Sequence, residues 1–281
     1  MREPPIEQLV HLQADSPYEL RVHLGRSVPD SDVRSALATG DMGFIHSFTT
    51  GSAVDGPGIR VVAWTTGCMW RCLYCHNPDT WTLSNGIPVT LRQAIESLRK
   101  YRYGLKIMSG GFTLSGGEPL MQDRFAVKLL TAARDMGIHT ALDTNGYLGS
   151  RLTDQELEVI NLFLLDIKGW NRERHRRLTG MDIEPVLAFA RRLAVRQRPV
   201  WMRFVLVPDL TDNFDDIARI ADFAARLGVV ERVDVLPFHQ MGRFKWKELG
   251  LKYELENTQP PSPELVDKAC MCFRQAGLKA Y

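Results

Sequence analysis

Six short apolar runs, at 59–66, 112–115, 139–143, 162–167, 200–207 and 232–237, alternate with six segments of helical period, at 91–102, 124–136, 154–159, 184–195, 215–227 and 264–275. Strands and helices in such alternation are joined by crossovers, which predicts an α/β fold with a parallel sheet. Five of the six runs end in polar or glycine-rich tips: Thr66-Gly67-Cys68, Ser115-Gly116-Gly117-Glu118-Pro119, Asp143-Thr144-Asn145-Gly146, Asp166-Ile167-Lys168-Gly169 and Leu236-Pro237-Phe238-His239. Parallel barrels carry their sites at the C-terminal ends of the strands, so these tips are expected around one mouth. The last helical segment has its own start signal, Ser262 as N-cap and Pro263 at the first helical position. Ahead of Gly43 the pattern is faint. One short helix is expected at 31–37, and residues 1–41 are otherwise unassigned.

The first tip leads into Cys68-Met69-Trp70-Arg71-Cys72-Leu73-Tyr74-Cys75, three thiols in eight residues with the spacing C-x3-C-x2-C. A four-iron cube normally takes four cysteines, so three leave one iron free to bind a ligand directly. Other chemistries fit less well. Cys72-Leu73-Tyr74-Cys75-His76 spells the attachment pattern of a c-type haem, but the acidic N-terminus Met1-Arg2-Glu3-Pro4-Pro5 lacks the apolar stretch of an export signal. A structural zinc would need a fourth ligand, commonly from a second pair. The remaining cysteines, Cys270 and Cys272, stand two apart in a helical segment and point to different faces, as packing residues do.

A chain of 281 residues, 44% hydrophobic and 24% charged, is an ordinary globular composition. The net charge of +2, without a basic stripe interleaved with aromatics, argues against nucleic acid as a partner. No apolar run approaches the ~20 residues of a membrane span. Five cysteines, three of them clustered, fit a reducing cytoplasm.

Several further blocks carry a resemblance: Ile45-His46-Ser47-Phe48, Val54-Asp55-Gly56-Pro57-Gly58-Ile59-Arg60, Cys72-Leu73-Tyr74-Cys75-His76-Asn77, Ser115-Gly116-Gly117-Glu118, His139-Thr140-Ala141-Leu142-Asp143-Thr144-Asn145-Gly146, Leu165-Asp166-Ile167-Lys168 and Leu236-Pro237-Phe238-His239. From about residue 43 to the end, the chain resembles the radical S-adenosylmethionine superfamily and, within it, the activating enzymes of glycyl-radical enzymes such as pyruvate formate-lyase. Residues 1–41 have no counterpart in that pattern, so the resemblance implies an N-terminal extension and a radical S-adenosylmethionine core at 42–281. It implies a partial (β/α)6 barrel of the TIM type, one 4Fe-4S cluster on Cys68, Cys72 and Cys75, and S-adenosylmethionine on the open iron. One electron would cleave the cosubstrate to methionine and a 5′-deoxyadenosyl radical, which would take a hydrogen from a glycine of the partner. That partner would be a glycyl-radical enzyme, pyruvate formate-lyase first, and the electron would come from reduced flavodoxin or ferredoxin. A monomer is expected. The stretch 77–114 contains no cysteine, which favours the short branch with a single cluster.

The resemblance also assigns residues. Gly116 and Gly117 would let backbone approach the methionine end, with Glu118 beside its amino group, although a lone Gly-Gly more often makes a tight turn. Tyr74, Cys75 and His76 would face the adenine, a place where an isolated Tyr74 would ordinarily be packing. Asp143, Thr144, the Leu164 carbonyl and Asp166 would hold sodium or potassium, while helix N-caps are the plainer role for such acids. Ile167 and Lys168 follow at the end of the same strand, Lys168 as a point charge for the cosubstrate carboxylate. His239 would contact ribose and adenine. Arg203 stands mid-strand among Trp201, Met202, Phe204 and Val205, where an unpaired charge is costly, so it is expected to face the lumen and pair with cosubstrate or peptide. Asp55 would contact the glycine-bearing peptide. A radical enzyme acting on a small molecule is the alternative within the class. An electron carrier or haem protein would not need Gly116, Gly117, Glu118, Lys168 and His239.

Overall fold

The structure, a computed structural model, describes residues 10–16, 19–24 and 30–281, with side chains from residue 35 onward. Of the expected extension, residues 1–9, 17–18 and 25–29 lie outside the described residues. The chain divides into two compact units, one from the described parts of Met1–Cys68 with Thr82–Leu142, the other from Met69–Trp81 with Asp143–Tyr281.

The first unit begins with two strands, β1 (Val10–Ser16) and β2 (Glu19–Leu24), paired antiparallel, followed by α1 (Asp30–Thr39), the helix expected near 31–37. Next comes β3 (Met42–Ser52), antiparallel to β2 and to β4 (Arg60–Thr65). After β5 (Ile87–Thr90), also on β3, follow α2 (Leu91–Arg99), α3 (Arg102–Ile107), β6 (Gly111–Gly116), α4 (Asp123–Asp135) and β7 (His139–Thr144). β4, β6 and β7 are parallel, with Val61 opposite Phe112 and Phe112 opposite Thr140. Their central residues Val62, Phe112, Leu114, Ala141 and Leu142 are fully buried, as both faces of a parallel sheet are covered. The segment read as one helix at 91–102 is two, parted at Lys100 and Tyr101. α2 starts on a reciprocal cap between Thr90 and Gln93.

The second unit holds the cysteine loop and then α5 (Asp154–Leu157), β8 (Leu162–Asp166), α6 (Arg172–Thr179), α7 (Glu184–Val195), β9 (Val200–Leu206), α8 (Phe214–Leu227), β10 (Val230–Pro237), α9 (Arg243–Glu248) and α10 (Pro263–Gln275). β8, β9 and β10 are parallel, Asp166 lying opposite Arg203 and Arg203 opposite Asp234. α10 starts as its signal requires, the Ser262 hydroxyl accepting from the Leu265 N–H at 3.3 Å. Cys270 is buried on its inner face and Cys272 half-buried, which suits packing. Several elements went unread in the sequence, β1, β2, β5 and α9 among them, and two of the others show why. β3 reads Met-Gly-Phe-Ile-His-Ser-Phe-Thr-Thr-Gly-Ser, with no clean alternation, and owes its extension to strands on both sides. α6 reads Arg-Glu-Arg-His-Arg-Arg-Leu-Thr, too polar for an apolar period. It is set by its ends, the Asn171 carboxamide accepting from Glu173 and Arg174 and Gly180 closing at φ +80°. Among the described residues no helix is long and apolar enough to cross a membrane.

Candidate active site

In the first unit the tips of β4 and β6 are locked to each other by backbone. The Gly117 N–H donates to the Thr65 carbonyl and the Glu118 N–H to the Gly67 carbonyl, both at 2.8 Å, directly ahead of Cys68. Gly116 has φ +132°, and a Cβ there would stand 2.1 Å from the Thr65 nitrogen. Only glycine fits. Glu118 is fully buried, and one carboxylate oxygen accepts from the Leu120 N–H at 3.0 Å, capping the turn that follows. Gln122 bridges the neighbouring strand ends, donating to the Phe44 and Thr66 carbonyls and accepting from the Phe44 N–H.

At the other end of β4, Asp55 accepts a 2.6 Å hydrogen bond from the Ser52 hydroxyl, and its carbonyl accepts one from Thr113. Arg60, fully buried, donates to Thr113 at 3.0 Å, to the Phe112 carbonyl at 2.7 Å and to His139 Nδ1 at 3.2 Å. Burial lowers its pKa to about 10, which leaves it charged at neutral pH. Burial, and then the Arg60 charge, lower His139 to about 4. The sequence reading missed this network. Its signal was available, since Arg60 opens an apolar strand just as Arg203 interrupts one.

In the second unit the cysteine loop is strapped to the end of α6: Arg71 N–H donates to the Thr179 carbonyl at 2.8 Å and Leu73 N–H to Leu178 at 3.0 Å. Trp70 is buried edge-on against His175, 5.2 Å between centroids. Cys72 and Cys75 are half-buried and in no disulfide. Burial raises the Cys75 thiol, while the Asn77 N–H and the Trp81 side chain, hydrogen-bonded to its sulfur, work the other way. Its carbonyl accepts from the Trp246 indole at 2.8 Å. Asn77, Trp81 and Trp246 are further residues that sequence reasoning missed, because α9 reaches the loop from 171 positions away.

The acids at the strand ends have partners within the chain. Asp166 meets the Lys168 ammonium at 2.9 Å, and Asp143 meets the Arg203 guanidinium at 3.1 Å. Burial, the largest single influence, opposes the Lys168 charge, but Asp166, by charge and hydrogen bond, together with Tyr74 and Cys72 outweighs it and the pKa is raised. The same ammonium lies 5.4 Å from the Tyr74 ring centre. So the partner expected for Arg203 from outside is met first by Asp143, the acid ending β7. Thr144 is buried and accepts from the Gly146 N–H, and Leu164 and Ile167 are fully buried. His239, just past β10, stacks on His76 at 4.1 Å and 26°, its carbonyl accepting from His76 Nε2 at 3.1 Å. Burial, with the neighbouring His239, lowers His76 to about 4, so this ring is neutral at physiological pH.

These residues fit an iron–sulfur cluster and a nucleoside cosubstrate. Cys68, Cys72 and Cys75 are free thiols on one short stretch, the donor set of a cluster with one open iron. Tyr74 Oη and His239 Nδ1 are buried without a hydrogen-bond partner, which is costly unless a ligand meets them.

The chain matches the family model of the radical SAM superfamily over residues 62–224. It is 39% identical over 240 residues to the pyruvate formate-lyase 1-activating enzyme of Escherichia coli (strain K12), spanning 85% of this chain and 98% of that one. It is 40% identical over 231 residues to the pyruvate formate-lyase-activating enzyme of Listeria monocytogenes serovar 1/2a, spanning 80% of this chain and 93% of the relative. In fold it resembles the crystal structure of a radical SAM methyltransferase from Sphaerobacter thermophilus, with a TM-score of 0.57 and 16% identity over 90% of this chain and 81% of that one. The fold class is thus the α/β fold that the alternation of strands and helices predicts, in the partial β/α barrel form that the resemblance implies. With the family model over more than half its length and a relative matched almost end to end, the chain belongs to the radical S-adenosylmethionine superfamily and, within it, to the family of the pyruvate formate-lyase-activating enzymes.

Proposed function

We propose that this chain activates a glycyl-radical enzyme, pyruvate formate-lyase before its paralogues, by generating a radical on one of its glycines. The observation that carries the reading is the cysteine loop: three thiols in eight residues with the spacing C-x3-C-x2-C, all of them free. A 4Fe-4S cluster and S-adenosylmethionine supply the chemistry when bound, a one-electron cleavage to methionine and a 5′-deoxyadenosyl radical that takes a glycine hydrogen.

The protein holds and orients. Cys68, Cys72 and Cys75 ligate three irons. The Gly116 and Gly117 backbone and the Glu118 carboxylate, on the locked tips of β4 and β6, would serve the methionine amino end, and Lys168 and Arg203 would serve its carboxylate. Each of these cations is shared with an aspartate, so the Asp143 and Asp166 charges are balanced before the cosubstrate arrives. Thr144 and the Leu164 carbonyl complete the set proposed for sodium or potassium, an ion that would compete with Lys168 and Arg203 for those two acids. The neutral His76, stacked on His239, gives a flat platform for adenine beside Tyr74 and Ile167. Asp55, held by Ser52 and Thr113, contacts the incoming peptide. Residues 42–281 form the core and residues 1–41 an extension; the enzyme is cytoplasmic and monomeric and takes its electron from reduced flavodoxin or ferredoxin.

A primary carbon radical must be kept from water until its target arrives, so the substrate itself closes the site. Cleavage without a partner should therefore be slow. A glycine-loop peptide of pyruvate formate-lyase should accelerate it, and deuterium at that glycine Cα should appear in 5′-deoxyadenosine. Cleavage without transfer from any glycyl-radical enzyme would instead identify a small-molecule radical enzyme.

A further inference from the structure

The segment after His239 folds back onto the cysteine loop. Gly242 lies so close that a Cβ would stand 2.6 Å from the His76 backbone. Lys245 of α9 reaches the Asn77 carboxamide at 2.8 Å and the Asp79 carboxylate at 2.9 Å. Trp246 is buried, with its indole N–H on the Cys75 carbonyl at 2.8 Å and its ring 5.1 Å from both Trp81 and Tyr253. The Trp246 indole thus joins the Cys75 backbone to the Tyr253 ring, with Trp81 packed edge-on against it. Tyr253 lines an open surface cavity of about 780 Å³ together with Phe244, Leu251, Arg243, Lys247 and Lys252.

The rim of that cavity has the features of a transient protein contact. Phe244, 56% exposed, and Leu251, 38% exposed, both line it. Large apolar side chains left in water next to one another mark a docking surface. Around the cavity stand three cations, Arg243, Lys247 and Lys252, against one acid, Glu256, which Arg243 already binds at 2.6 Å. A small apolar centre with a basic rim suits a brief encounter with an acidic partner, as electron-transfer contacts are.

We propose that this face, α9 with the segment through Tyr253, is where an acidic, low-potential one-electron carrier protein docks, with Tyr253 and Trp246 bridging the distance to Cys75. One electron leaves the reduced centre of the carrier and the cluster gains it; no bond to the protein forms and no proton is moved. The inference rests on the reading that Cys68, Cys72 and Cys75 hold a cluster, and it adds which surface the donor uses and what charge it carries.

The test follows cluster bleaching by stopped flow in anaerobically reconstituted enzyme, with reduced flavodoxin as one reductant and dithionite, which needs no docking surface, as the other. The double variant Lys247→Glu/Lys252→Glu should be reduced by flavodoxin about tenfold more slowly at low salt, with a flattened dependence on ionic strength. Phe244→Ala should slow the same reaction at every salt concentration. Dithionite should reduce wild type and variants alike. Equal rates with flavodoxin in all three proteins would overturn the docking face, and so would an equal loss with dithionite. A wild-type protein that takes up no iron would instead bring down the cluster reading on which the inference stands.

Discussion

At the scale of single residues, the chemistry concentrates in side chains whose charges are compensated inside the chain. Lys168 with Asp166, and Arg203 with Asp143, are partly buried pairs, and removing one partner strands the other charge. Cys68→Ala, Cys72→Ala and Cys75→Ala should each abolish cleavage of S-adenosylmethionine and lower the iron content from about four per chain, whereas Cys270→Ala/Cys272→Ala should keep both. Iron analysis and release of 5′-deoxyadenosine check this, and cluster loss in the double variant would contradict the packing role of the C-terminal pair. His139 makes a prediction about pH. Its folded pKa, about 4, lies below the ordinary 6.5, so the unfolded chain takes up a proton first as pH falls. The stabilisation is complete above pH 6.5 and is lost between there and pH 4, by up to about 3 kcal/mol. Denaturation midpoints across that window should fall less steeply in His139→Gln than in wild type. That acids and cations would stand at the strand tips was legible, because such residues rarely follow apolar runs without reason. Which cation meets which acid was not, since 60 positions separate Arg203 from Asp143.

At the scale of elements, α6 is the piece whose role the sequence concealed. Its polar face gives no period, yet its last carbonyls receive the backbone of the cysteine loop. Helix stability and loop geometry are therefore coupled. Asn171→Ala removes the side-chain cap of α6 and should cost about 1 kcal/mol. Because the loop hangs on that helix, the reconstituted variant should also lose iron to a chelator several-fold faster, a response that uncapping α8 through Asn213→Ala should not produce. Thermal midpoints would show the first effect and chelation rates the second; equal chelation in both variants would uncouple the loop from the helix. The parallel strands and long helices were readable from period alone. β3 and α6 were not, for their conformations come from neighbours in space and from end caps.

At the scale of the whole molecule, β1 and β2 add to the edge of β3, in a part of the chain ahead of the region matched by the radical SAM family model. Deletion of residues 1–29 should accordingly leave iron content and peptide-stimulated cleavage within about twofold of wild type, since additions at a sheet edge seldom alter the sheet they extend. A deletion variant that keeps its cluster but loses the peptide response would assign the extension to partner recognition. What the sequence determined by itself was local: the alternation of strand and helix, the glycines that only a tight turn accepts, and three thiols close enough in the chain to serve one cluster. The tertiary structure decided the rest. It set Arg60 under the Asp55 loop, Arg203 on Asp143, and Trp246 on the Cys75 carbonyl. Each of these joins residues far apart in the chain, and a buried charge or N–H accepts whichever partner the fold brings within hydrogen-bond reach, so no local pattern can name it.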